Sequence, residues 1–109
     1  MSHYQDLNPE DFKALINSDA LIIDVRTAPE TAAGIIPNAL IDFDIHQSDF
    51  DAKIEDLDPE KTYLVYCRSG VRSVYACEKM HALGFQHLYN LRGGIIAWQQ
   101  QYETTLPNL

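Results

Sequence analysis

This 109-residue chain has no long apolar run, few cysteines, no closely spaced histidines and no excess of positive charge. No stretch approaches the roughly 18 consecutive apolar residues of a membrane-spanning helix, so no membrane is expected. Its two cysteines, Cys67 and Cys77, stand ten positions apart, and the N-terminus shows no basic-then-apolar leader. That pattern is not a disulfide framework, and a reducing, cytoplasmic setting is expected. The four histidines, His3, His46, His81 and His87, lack metal-ligand spacing, so no zinc site is expected. No nucleotide-type glycine fingerprint occurs either, and neither metal nor organic cofactor is implied. Eight basic against sixteen acidic side chains leave a net charge of −8, which argues against a nucleic-acid partner. Such a balance still permits a small local anion site.

The composition that remains, 46% apolar and 22% charged, is that of an ordinary globular protein. With no repeat, low-complexity tract or linker in view, residues 1–109 read as one domain. Asn8-Pro9-Glu10-Asp11 predicts a helix running to about Asn17, with Phe12, Leu15 and Ile16 facing the core. Leu21 to Val25 is a branched apolar run suited to a strand buried on both faces. Short helices are expected at Pro29–Ala33 and Ser48–Ile54, with a buried strand at Ala39-Leu40-Ile41 between them. Tyr63–Tyr66 and His87–Leu91 are further strands. Ser73–Leu83 reads as a helix stopped by Gly84, with Ala76, Cys77, Met80 and Leu83 on one face, and Ile95–Gln101 as a last helix. Strands alternating with helices give an α/β fold with a parallel sheet, whose sites lie at the carboxyl ends of the strands.

The most informative stretch is Tyr63-Leu-Val-Tyr-Cys67-Arg68-Ser69-Gly70-Val71-Arg72. A strand delivers one thiol into a tight turn, and a helix begins at once. Unpaired N–H groups at a helix start carry partial positive charge and hold anions, so a thiolate placed there is stabilised. Arg68 and Arg72 bring full charges to either side. All four arginines (Arg26, Arg68, Arg72 and Arg92) follow predicted strands, while the four lysines sit on helices or outer loops. Cationic charge is thus expected on one edge of the sheet, around Cys67. Cys77, on the apolar face of its helix, reads as core filler, as do Phe85 and Trp98. Arg92 fits the mouth of the site or open solvent equally well.

These residues resemble a single-domain rhodanese, a sulfurtransferase. The matching pieces are Asp24-Val25-Arg26 with Glu30, Gly34-Ile35-Ile36-Pro37-Asn38-Ala39, the Cys67–Ser73 loop, and Gly84-Phe85 followed by Leu91-Arg92-Gly93-Gly94-Ile95 and Trp98. The resemblance implies a rhodanese-like, five-stranded parallel sheet with helices on both faces. It implies that Cys67 takes a sulfane sulfur from an anionic donor such as thiosulfate and holds it as a persulfide. The sulfur then passes to a thiophilic acceptor, cyanide or a thiol, small or on a protein. The turn from Arg68 through Ser69, Gly70 and Val71 to Arg72 would bind substrate and persulfide. Asp24, Arg26 and Glu30 would form a supporting ion-pair set beside it. Two positions depart from the family pattern: Ile35 stands where a histidine is common, and Thr31 where an aromatic is usual.

Two rival readings share the cysteine loop. Cysteine-dependent phosphatases and arsenate reductases typically place five residues between cysteine and arginine, whereas four separate Cys67 from Arg72. A smaller ring of N–H donors suits one sulfur atom better than a tetrahedral oxyanion. A relay or binding module that works only with a protein partner would use the same residues.

Overall fold

A computed structural model of the chain describes residues 3–107. Five strands, β1 (Gln5–Leu7), β2 (Leu21–Asp24), β3 (Ile41–Asp42), β4 (Thr62–Tyr66) and β5 (His87–Leu91), form one sheet in the order β1-β5-β4-β2-β3. All four pairings are parallel. The helices are α1 (Pro9–Ile16), α2 (Ala28–Ala33), α3 (Phe50–Glu55), α4 (Val71–Ala82) and α5 (Gly94–Gln99).

Two apolar layers sandwich the sheet. On one face Ile23, Val25, Tyr63, Val65 and Leu88 pack against Phe50 and Ile54 of α3 and Ala76, Cys77 and Met80 of α4. On the other, Ile22, Leu64, Tyr66 and Leu91 meet Phe12 of α1 and Ile95 and Trp98 of α5. The strands carry apolar side chains on both faces because both faces are covered, which is why they read as unbroken branched runs. Among the described residues no helix is long and apolar enough to cross a membrane.

The chain starts α1 as its sequence requires: the Asn8 side chain accepts the Asp11 N–H at 2.8 Å. The helices expected at Pro29–Ala33, Ser48–Ile54 and Ile95–Gln101 fall at Ala28–Ala33, Phe50–Glu55 and Gly94–Gln99, and the differences with a clear physical cause lie elsewhere. β1 has no counterpart in the sequence pattern, because an edge strand of which only Leu7 is buried lacks an apolar run. The strand expected at Ala39–Ile41 is Ile41–Asp42 instead, and Leu40 is 79% exposed. α4 begins at Val71, two residues before Ser73, because Gly70 takes the left-handed conformation (φ 98°) and turns the chain at once. Leu83, expected on the apolar face, caps α4 and is exposed.

The strand order reverses between β4 and β2: the chain moves from β2 outward to β3, then returns to lay β4 on the other side of β2. A crevice opens at the carboxyl ends of strands where such a reversal occurs. Cys67 follows β4 there, and Arg26 and Glu30 follow β2.

Candidate active site

Cys67 is 1% exposed and lies at the base of the turn. Its Sγ accepts the Gly70 N–H at 3.1 Å and the Ser73 N–H at 3.4 Å, with the Ser73 hydroxyl also 3.4 Å away. Burial pushes the thiol's pKa up. The Ser73 hydroxyl and the N–H groups of Ser73, Gly70 and Ser69 outweigh burial and bring it below its ordinary value. Ser73 itself is fully buried, so its hydroxyl is held on the sulfur.

A second helix start fixes the backbone of this turn. The Ile95 N–H donates to the Cys67 carbonyl at 2.9 Å, and the Ile96 N–H to the Arg68 carbonyl at 3.2 Å. α5 thus spends its unpaired N–H groups on the loop's carbonyls, while the loop's own N–H groups turn inward to the sulfur. The approach is so close that a Cβ on Gly94 (φ 64°) would overlap the Arg68 carbonyl. Gly93-Gly94 is therefore part of the site. The sequence reading gave the pair no role there, although two adjacent glycines opening a helix are a visible signal of close backbone approach.

The supporting residues divide into two sets. Asp24, 0% exposed, accepts the Arg26 backbone N–H at 3.0 Å, Arg26 Nη2 at 2.8 Å and the Tyr66 hydroxyl at 2.7 Å. Arg26 Nη2 also reaches the Gly34 carbonyl at 2.7 Å, and Tyr66 Oη accepts the Ile36 N–H at 3.2 Å. Burial lowers the Arg26 pKa, but Asp24 and Tyr66 together raise it by more; burial and then Asp24 push the Tyr66 phenol upward. The network ties the ends of β2 and β4 to the Gly34–Ile36 segment, immediately before Cys67. Tyr66 escaped the sequence reading because a strand tyrosine reads as core, and nothing in the sequence says where its hydroxyl goes.

Glu30 belongs to the second set. Its carboxylate takes a two-pronged bond from Arg72, Nη1 to Oε1 at 2.7 Å and Nη2 to Oε2 at 2.8 Å, and also accepts from the Thr27 N–H and hydroxyl. Arg72, against the opposing cost of burial, and then Thr27 hold the Glu30 carboxyl down at about 2. The sequence pattern casts Arg72 as an anion contact; in the structure its fork is filled by Glu30, and its charge acts on Cys67 at longer range. Arg68, Ser69 and Val71 are exposed at the rim. Arg92 is exposed as well, its backbone N–H bonded to the Leu7 carbonyl.

The two unusual positions have packing partners. Ile35 is buried and pairs its backbone with Thr105, and Thr31 is buried with its hydroxyl on the Thr27 carbonyl. Cys77 is fully buried, and burial, followed by Glu78 and Asp6, pushes its thiol up to about 12. No group of three potential metal ligands occurs among the described residues.

Comparison with known proteins agrees with this architecture. A protein named sulfurtransferase from Allochromatium vinosum is 40% identical over 80 residues, covering 73% of this chain and 72% of the relative. A thiosulfate sulfurtransferase, GlpE, from Pseudomonas fluorescens is 31% identical over 108 residues, covering 99% and 96%. The crystal structure of a rhodanese-related protein from Thermoplasma volcanium superposes with a TM-score of 0.82 at 31% identity, over 95% of this chain and all of that one. The model of the rhodanese-like domain matches residues 8–101, and the chain belongs to that family.

Proposed function

We propose that this protein is a sulfurtransferase that carries sulfane sulfur as a persulfide on Cys67. The observation that carries the reading is the set of donors aimed at one sulfur atom: the Gly70 and Ser73 N–H groups and the Ser73 hydroxyl, all on Cys67 Sγ. They favour the thiolate needed for attack, and they are suited to an anionic sulfur held one bond further out. With thiosulfate as donor, the Cys67 thiolate attacks the sulfane sulfur and forms an S–S bond. The bond to the sulfonate sulfur breaks, and its electron pair leaves with sulfite. An acceptor thiolate, or cyanide, then attacks the outer sulfur, and Cys67 departs as thiolate. The cycle uses no external oxidant and no cofactor. Relatives named sulfurtransferases that match nearly three quarters or more of the chain support the same chemistry.

Phosphoryl chemistry is less well supported. A phosphatase loop needs its arginine fork free for the oxyanion, and both terminal nitrogens of Arg72 are on Glu30. The test is thiocyanate release from thiosulfate and cyanide, run beside hydrolysis of a generic aryl phosphate. Thiocyanate without phosphate release is the expected result. Phosphate release without thiocyanate would overturn the proposal.

A further inference from the structure

Three of the six exposed large apolar side chains among the described residues gather around the cysteine loop: Val71 (61% exposed), Tyr75 (65%) and Ile96 (38%). Val71 opens α4, and Tyr75 lies one helical turn further on the same side. Ile96 is tied through its N–H to the Arg68 carbonyl. Single exposed apolar residues need no explanation, but a cluster at the rim of a reactive site marks a contact surface.

Charge marks the same place. Among the described residues Arg26 and Arg72 are paired with carboxylates, while the exposed Arg68 and Arg92 are not. Arg68 sits within the loop, and Arg92 enters the Gly93-Gly94 turn that packs on Arg68. On a chain of net charge −8 this edge is where an acidic partner meets attraction instead of repulsion. Cys67, 1% exposed, lies beneath the loop that carries Arg68 and Val71.

We propose that the collar of Arg68, Val71, Tyr75, Arg92 and Ile96 docks an acidic, partly apolar protein segment that brings the acceptor thiol to Cys67. The proposal rests on the sulfur-transfer reading for what crosses the surface, while the surface itself is tested by binding alone. Two labelled peptides of equal length serve as probes, each with one central cysteine and a neighbouring leucine. Aspartate and glutamate flank the cysteine in one, and lysine in the other. Binding to Cys67→Ser protein is read by fluorescence anisotropy. The acidic peptide should bind about tenfold tighter at low salt, with the gap closing as salt rises. Arg92→Glu and Tyr75→Ser should each weaken that binding several-fold. On persulfide-loaded protein, the same two variants should leave transfer to mercaptoethanol unchanged. Equal binding of the two peptides, or no effect of either variant, overturns the docking surface. Acidic-peptide binding by a protein that takes up no sulfur from thiosulfate would uphold the surface and overturn the chemistry instead.

Discussion

Replacing Glu30 by glutamine isolates the pair that locks the cysteine loop to α2. Glutamine keeps the size of the side chain and can still accept from Thr27, but it removes the charge that Arg72 holds in its fork. At face value, a carboxyl brought from 4.5 to about 2 corresponds to about 3 kcal/mol. The side chains of Arg72 and Glu30 are 24% and 26% exposed, so water screens them, and a loss of about 1–2 kcal/mol is expected. For a chain of this size that is about 5–10 °C in melting temperature. The pH dependence gives the sharper test. Because the folded value lies below the unfolded one, the contribution is complete above about 4.5 and disappears as pH falls toward about 2. Urea unfolding of parent and Glu30→Gln from pH 7 down to pH 2 should show a stability gap that closes across that window. A gap that persists unchanged at pH 2, or no gap at pH 7, would refute the assignment.

Two further outcomes follow from the loop's geometry. Alkylation by iodoacetamide against pH should show Cys67 titrating below an ordinary cysteine, with Ser73→Ala moving its midpoint upward and Cys77 unreacted until the protein unfolds. A midpoint untouched by Ser73→Ala would mean that its hydroxyl does not stabilise the thiolate. Gly94→Ala should cost about 1–3 kcal/mol from its left-handed backbone and also abolish sulfur transfer, because the Cβ displaces the Arg68 carbonyl. Gly84→Ala makes the control: it is also left-handed (φ 97°) but has open space around its Cβ, so it should lose stability and keep activity. Equal losses of activity would remove the loop contact from the explanation.

The legible parts of this chain were those where local chemistry and tertiary context agree. Tyr63–Tyr66 is branched and aromatic because β4 is covered on both faces, and the Cys67–Arg72 turn carries its anion-binding character in its own residue types. β1 was illegible for the opposite reason, since Gln5 and Asp6 are exposed and only pairing with β5 makes them a strand. Arg72 shows where spacing stops being informative. Its position in the loop follows from the sequence, but the bond to Glu30 spans 42 residues and depends on how α2 sits over the end of β2. The Tyr66 hydroxyl and the α5 hold on the loop carbonyls are likewise properties of assembled elements, although the Gly93-Gly94 pair announces the second.

The central claim is that sulfur is held on Cys67. Intact-mass spectrometry of the reduced protein before and after thiosulfate, with Cys67→Ser alongside, measures it directly. The expected result is a gain of one sulfur mass in the parent and none in a variant that keeps the parent's circular dichroism. A gain that survives Cys67→Ser, or no gain in the parent, would contradict the persulfide and return the loop to a different chemistry.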